Sequence, residues 1–306
     1  MMRVIAVANQ KGGCGKTTTS INLSASLASQ GRKVLLIDMD PQGHAGKGLN
    51  IETDETTPTI YNVFRNFEGQ SITLDQVTRQ IGENFHIAPS NLSLSIIEQV
   101  LSMAEGREKR LKQAIERSQE TYDYIVIDCP PSLGLLTFNS LMASSEVFIP
   151  IDMGFFSLHG TSRLLAIVDM VRNKTGHSIR AKFIATQYDK RTKISGEILN
   201  DIKNNFDGSM FATVINSNVK LKEAARSRKS IIDYDRRCAG YRDYMSLAKE
   251  VIEEEVIPAV RIPAEPISKL FRTTENAPSP FWHRDEQAEE INLEENPEEM
   301  DSPITH

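Results

Sequence analysis

The stretch NQKGGCGKTTTS, residues 9–20, holds three glycines and two lysines, a combination suited to binding phosphate. Gly12, Gly13 and Gly15 let backbone N–H groups turn inward around phosphate oxygens, and a helix starting at Thr17 adds its positive end. Lys16 stands where a phosphate loop places the lysine that reaches β- and γ-phosphates, and Thr17 where its hydroxyl ligates Mg²⁺. Cys14 and Thr18 complete the cradle, Cys14 through its backbone. One lysine suffices for this chemistry, yet Lys11 stands five residues ahead of Lys16, at the start of the glycines.

Two further stretches carry acids. YIVIDCPPS is an apolar strand ending in Asp128, an acid placed to hold Mg²⁺ through water. VLLIDMDPQG ends in Asp38 and Asp40, which alternate and so point to one face. Ligands of open α/β sheets bind at the carboxyl ends of strands. Asp38 is assigned to the metal's outer shell and Asp40 to positioning or activating the attacking water; either is otherwise a turn residue before Pro41. Whether Asp40 is a base or an orienter stays open, because phosphoryl transfer needs mainly positioning and charge neutralisation.

These residues need a scaffold. Arg3–Ala8, Lys33–Asp38, Phe85–Ala88, Tyr124–Asp128, Val147–Ile151, 180–189 and Phe211–Ile215 read as strands. Thr17–Ser29, capped by Gly31, and Leu92–Met103, Arg107–Ser118, Leu133–Ala143, Ile194–Phe206 and Tyr241–Glu255 read as helices. Apolar strands alternating with helices predict an α/β fold: a single doubly wound, mostly parallel sheet with helices on both faces.

Charge is unevenly spread. The net charge is −6, but residues 284–306 carry one arginine and nine acids, so the rest is close to +2. An ATPase domain over 1–258 and a proline-containing, acidic, disordered tail over 259–306 are expected. The tail is either solubilising or partner-binding, with Phe281 and Trp282 as a small anchor. Three distant cysteines read as free thiols of a reducing cytoplasm, and neither a signal peptide nor a membrane span is expected.

KGGCGKTTT, DMDPQG and YIVIDCPPSLGLLTFNSL together resemble the deviant Walker A ATPases of the ParA/Soj partition family, cousins of MinD. The likeness runs over roughly residues 2–256 and includes TIYNVFRN, APSNLSLSIIE and LAKEVI. It implies a P-loop NTPase using ATP and Mg²⁺, with Asp40, Lys11 and Lys16 catalytic and Thr17, Asp38 and Asp128 at the metal. It also implies a role for Lys11: the early lysine crosses an ATP-sandwich homodimer and touches the partner's nucleotide. Gly13 then lets the two loops approach. In VINSNVKL, Asn218 falls on an adenine-contacting Asn, and Asn216 stands where the pattern has Pro.

The resemblance further implies non-specific double-stranded DNA, a ParB-like activator and a nucleoid-associated protein in the cytoplasm. Arg191, Lys193, Lys220, Lys222, Arg226, Arg228 and Arg237 are the candidate DNA-binding residues; a solvated helical face is the alternative. No helix-turn-helix precedes the loop, which argues against operator binding. Gly154 and His159 stand where glutamates are common, and His44 where Asn is usual; both histidines are read as non-catalytic. A MinD-like membrane-cycling regulator is the alternative, but the acidic, proline-broken end offers no amphipathic helix, so stable membrane association is not expected. A metallocluster carrier would want a Cys-x-x-Cys pair, which is missing.

Overall fold

The computed structural model describes residues 2–54, 56–65, 72–154, 157–206 and 208–254. The acidic tail, Phe281, Trp282 and the expected boundary at 258 lie outside the described residues. In chain order the strands are β1 Arg3–Val7, β2 Val34–Asp38, β3 Arg79–Gly82, β4 Phe85–Ala88, β5 Tyr124–Asp128, β6 Glu146–Asp152, β7 Arg180–Tyr188 and β8 Met210–Asn216. They form one sheet in the order β3-β4-β2-β5-β1-β6-β7-β8. Every pairing is parallel except β3–β4, so the fold is the doubly wound α/β sheet the apolar strands predict.

Successive side chains of a strand point to opposite faces, so a strand covered on both sides must be apolar throughout. In β1, Val4 and Ala6 enter one core and Ile5 and Val7 the other. In β5, Ile125 and Ile127 face the first core, Tyr124 and Val126 the second. The second core takes its helical cover from Lys16–Ser29 and Ala239–Glu253. This central, doubly covered sheet fixes the strand ends that carry the chemistry.

Several elements differ from the sequence expectation, the short helices His44–Gly48, Ile60–Phe64, Leu74–Val77, Val219–Arg226 and Ile231–Tyr234 among them. Residues 92–103 give a 3-10 turn, Leu92–Ile96, and one short helix, Ile97–Val100. Ser95 Oγ bonds back to the Leu92 carbonyl at 2.7 Å, a local bond that competes with regular helix. The edge strand β3 was not expected, because RQIG is short and half exposed. Nor was the helix Ser157–Thr175, whose legible signal was Leu164, Leu165, Val168 and Val171, all buried at helical spacing.

Candidate active site

Three strands of this sheet end in aspartate: β2 in Asp38, β5 in Asp128 and β6 in Asp152. The loop 8–15 leaves the end of β1, which lies between β5 and β6. The loop therefore has acids from β2 and β5 on one side and the ends of β6 and β7 on the other.

Gly13 and Gly15 have φ of +75° and +95°, left-handed values that favour glycine. Gly15 precedes the helix Lys16–Ser29, whose N-terminus faces the cradle. Lys16 is buried, and its Nζ donates to the Lys11 carbonyl at 3.0 Å. Cys14 is also buried: its thiol lies 3.2 Å from the same carbonyl, and burial pushes its pKa up. The cysteine thus packs the loop through its side chain as well as its backbone. From β7, the Thr186 hydroxyl donates to the Cys14 carbonyl at 2.8 Å, and Gln187 Nε2 to the Gly13 carbonyl at 2.5 Å. Gln187 holds φ +55°, a strained value for a non-glycine residue.

The acids on the other side form a cluster. Asp38 and Asp128 are register partners on adjacent parallel strands, and both are fully buried. Burial, and then Asp128's charge, push the Asp38 carboxyl well above its ordinary range. Asp38 Oδ1 accepts the Asp40 N–H, and Oδ2 accepts the Ala45 and Gly46 N–H groups. Asp38 is brought to the site as expected, with both oxygens already clamping the loop that carries Asp40 and His44.

Asp128 differs. Burial pushes it up to about 6, although Thr17, Ser20 and Lys16 favour its charge. Oδ1 accepts the Ser20 hydroxyl at 2.9 Å, while Oδ2 is buried with no hydrogen-bond partner among the described residues. A buried acceptor without a donor is costly, and a metal-bound water would satisfy it. Among the described residues no group of three or more His, Cys, Asp and Glu could hold a metal ion by itself. Thr17 and, through water, Asp128 are the residues that would hold a Mg²⁺ bound here beside phosphate. Asp40 is 9% exposed and accepts the Gln42 N–H at 2.9 Å, which fixes its carboxylate at the rim. His44 is exposed at the start of the short helix His44–Gly48.

Lys11 does not enter the cradle. Its Nζ lies 2.8 Å from both oxygens of Asp152. Sequence reasoning missed Asp152, although VFIPID repeats the apolar-run-then-Asp pattern of VLLID and YIVID. It also missed Asn9, Thr186 and Gln187, which single out nothing by type and act only because strand ends meet.

The outlying candidates fall on neighbouring strand ends. Ser217 N–H donates to the Tyr188 carbonyl at 2.8 Å, so the segments holding Arg191 and Lys220 leave the sheet side by side. Asn218 caps the helix Val219–Arg226, its Oδ1 accepting the Lys220 N–H at 2.8 Å. Asn216 is tied to Asp243 at 3.0 Å. Arg191 is chelated by Asp189, while Lys193, Lys220 and Arg228 pair with Glu197, Glu223 and Glu52. Lys222, Arg226 and Arg237 are exposed. His159 falls in the first turn of Ser157–Thr175, and its side chain lies outside those described.

Comparison with known proteins agrees with this geometry. The family described as an AAA domain matches residues 2–181. The sporulation initiation inhibitor protein Soj of Bacillus subtilis is 41% identical over 252 residues, covering 82% of this chain and 98% of Soj. The chromosome partitioning protein ParA of Caulobacter vibrioides is 38% identical over 257 residues, covering 83% and 95%. A solved structure from Mycobacterium smegmatis, described as cobyrinic acid a,c-diamide synthase with bound ATP analog and magnesium, superposes with a TM-score of 0.73 at 30% identity, covering 83% and 96%. Matched along most of its length by such relatives, the chain belongs to the ParA/Soj family of P-loop ATPases.

Proposed function

We propose that the chain is a partition or positioning ATPase that closes as an ATP-sandwich homodimer, grips non-specific DNA in that state and lets go after hydrolysis. A ParB-like partner or cargo adaptor stimulates that hydrolysis, and residues 1–258 are the ATPase unit. The observation that carries the reading is the division of labour between two lysines. Lys16 is buried in the cradle, whereas the Lys11 ammonium is turned away from it, onto Asp152. A lysine so placed serves a phosphate presented from outside its own loop, and a two-fold-related copy presents one.

The residues divide the chemistry. Backbone N–H groups of 12–16 and Lys16 hold the phosphates, and Asp40 orients the attacking water. Thr17 and Asp128 would hold Mg²⁺, which when bound neutralises charge on the phosphate oxygens. Asp38 keeps the Asp40 loop in register through its backbone bonds. Leu92, Ile96, Val100 and Met103 follow the carboxyl end of β4 as exposed apolar side chains, on the edge that a second copy would cover. Two copies double a cationic surface that is modest in one, and each neutralised phosphate adds about −0.9 to the log–log salt slope. A dimer using about three cations per subunit has a slope near −5, and a monomer about half that.

Retention on DNA with ATP, ADP or no nucleotide tests the proposal. Retention is expected only with ATP and is lost in Arg191→Glu. Nucleotide-independent retention, or ATP-dependent pelleting with phospholipid vesicles but none with DNA, would overturn it.

A further inference from the structure

Both loop lysines are engaged by the chain itself, and the two contacts meet at residue 11. Lys16 Nζ donates to the Lys11 carbonyl, and the Lys11 ammonium is chelated by Asp152. Lys11 N–H donates to Asn9 Oδ1 at 3.1 Å, and Asn9 Nδ2 donates to the Pro150 carbonyl at 2.8 Å. Residue 11 is thus pinned to the end of β6 through its side chain and, by way of Asn9, through its backbone. Asp152 is register partner to Thr186, which holds the next turn of the same loop. The Lys11–Asp152 pair is 28% and 17% exposed, so water screens it only in part.

We propose that Asp152 is a positioning residue that holds Lys11 in reserve, and that filling the chain's own phosphate cradle releases it. This rests on the ATP-dependent pairing of two copies proposed above. Phosphate oxygens in the cradle draw Lys16 Nζ off the Lys11 carbonyl, because an anionic acceptor binds an ammonium more strongly than a neutral carbonyl does. Residue 11 then loses one of its anchors. Its ammonium is shared out between the Asp152 carboxylate and a triphosphate presented by a second copy, and the more highly charged triphosphate wins. Loss of the γ-phosphate weakens that competitor, and Lys11 returns to Asp152. A chain with an empty cradle keeps its second lysine paired, so two copies close only when both are loaded.

The test uses the full chain with Asp40→Ala to block hydrolysis, and compares Asp152→Asn and Asp152→Glu against it. Two quantities are read. One is the protein concentration for half-dimerisation in saturating MgATP, by sedimentation. The other is acylation of the Lys11 amine without nucleotide, by mass spectrometry. Asp152→Asn is expected to lower the half-dimerisation concentration about tenfold and to raise Lys11 acylation several-fold, with Asp152→Glu close to its parent. Acylation that does not change in Asp152→Asn overturns the latch. So does a weaker dimer, because Asp152 would then assist pairing. Monomers throughout, with acylation still raised, would instead overturn the pairing on which the latch depends.

Discussion

The two ends of the sheet handle charge in opposite ways. At the amino ends of β1, β6 and β7, buried Glu146 accepts Arg3 at 2.7 and 2.9 Å and Arg180 at 2.6 Å. Glu254 adds Lys182 at 2.6 Å. Burial alone would raise the Glu146 carboxyl, but the two guanidiniums outweigh it and hold the group below its usual range. At the carboxyl ends, burial and the neighbouring acids' charges raise Asp38 and Asp128, and one Asp128 oxygen has no donor among the described residues. The first end is electrostatically closed and holds the fold together. The second has unmet demand for a cation, and the fold pays for it with apolar burial elsewhere.

Substitutions should therefore separate the ends. The largest effect belongs to Lys16→Ala, expected to weaken nucleotide binding about a thousandfold, about 4 kcal/mol, with unfolding little changed. Fluorescent-nucleotide titration beside thermal unfolding measures both; a large loss of stability would erase the contrast. Next comes Glu146→Gln, which strips charge from a buried pair and is expected to cost about 3 kcal/mol of stability while leaving ATP affinity intact. Urea unfolding with ATP titration checks it.

The pH response should also differ in sign. The Glu146 network contributes fully above about pH 4.3 and is lost as acid protonates a group held below its ordinary value. Asp128 is raised to about 6, so its contribution is present in acid and lost as pH rises through 6. Thermal unfolding of nucleotide-free chain in chelator, from about pH 2 to 8, should show Glu146→Gln removing the acid-side loss alone.

A smaller change is expected from Asp40→Ala: hydrolysis slowed about a hundredfold, about 2.7 kcal/mol in barrier, with ATP still bound and the dimer persisting. Equal turnover in variant and parent would remove the water-orienting role. The smallest is Gly13→Ala. A Cβ there meets open space within one chain, so the monomer should lose only about 1–2 kcal/mol from the left-handed backbone. Dimerisation should suffer more than folding, because only a facing copy crowds that position; an equal loss in both would place the effect in the loop alone.

Much of this site was legible. The cradle, Thr17 and the strand-end acids announce themselves by spacing, because phosphate binding and strand termination both act over a few neighbouring residues. Asn218 was read by resemblance as a base contact, and the role the structure displays is the cap of the helix Val219–Arg226. Leu92–Met103 misled because its apolar period suits a helix, while Ser95 bonds locally.

What the sequence determined by itself is the set of residues able to hold a triphosphate and the alternation that buries a parallel sheet on both faces. Both follow from periods of two to five residues, within reach of a single stretch of chain. Only the tertiary structure decided what those groups face: Lys11 against Asp152, 141 positions away, Thr186 against Cys14, 172 away, and Asp128 with one oxygen unmet. Strand order sets these meetings, and it is chosen by the packing of whole layers, which no local pattern encodes.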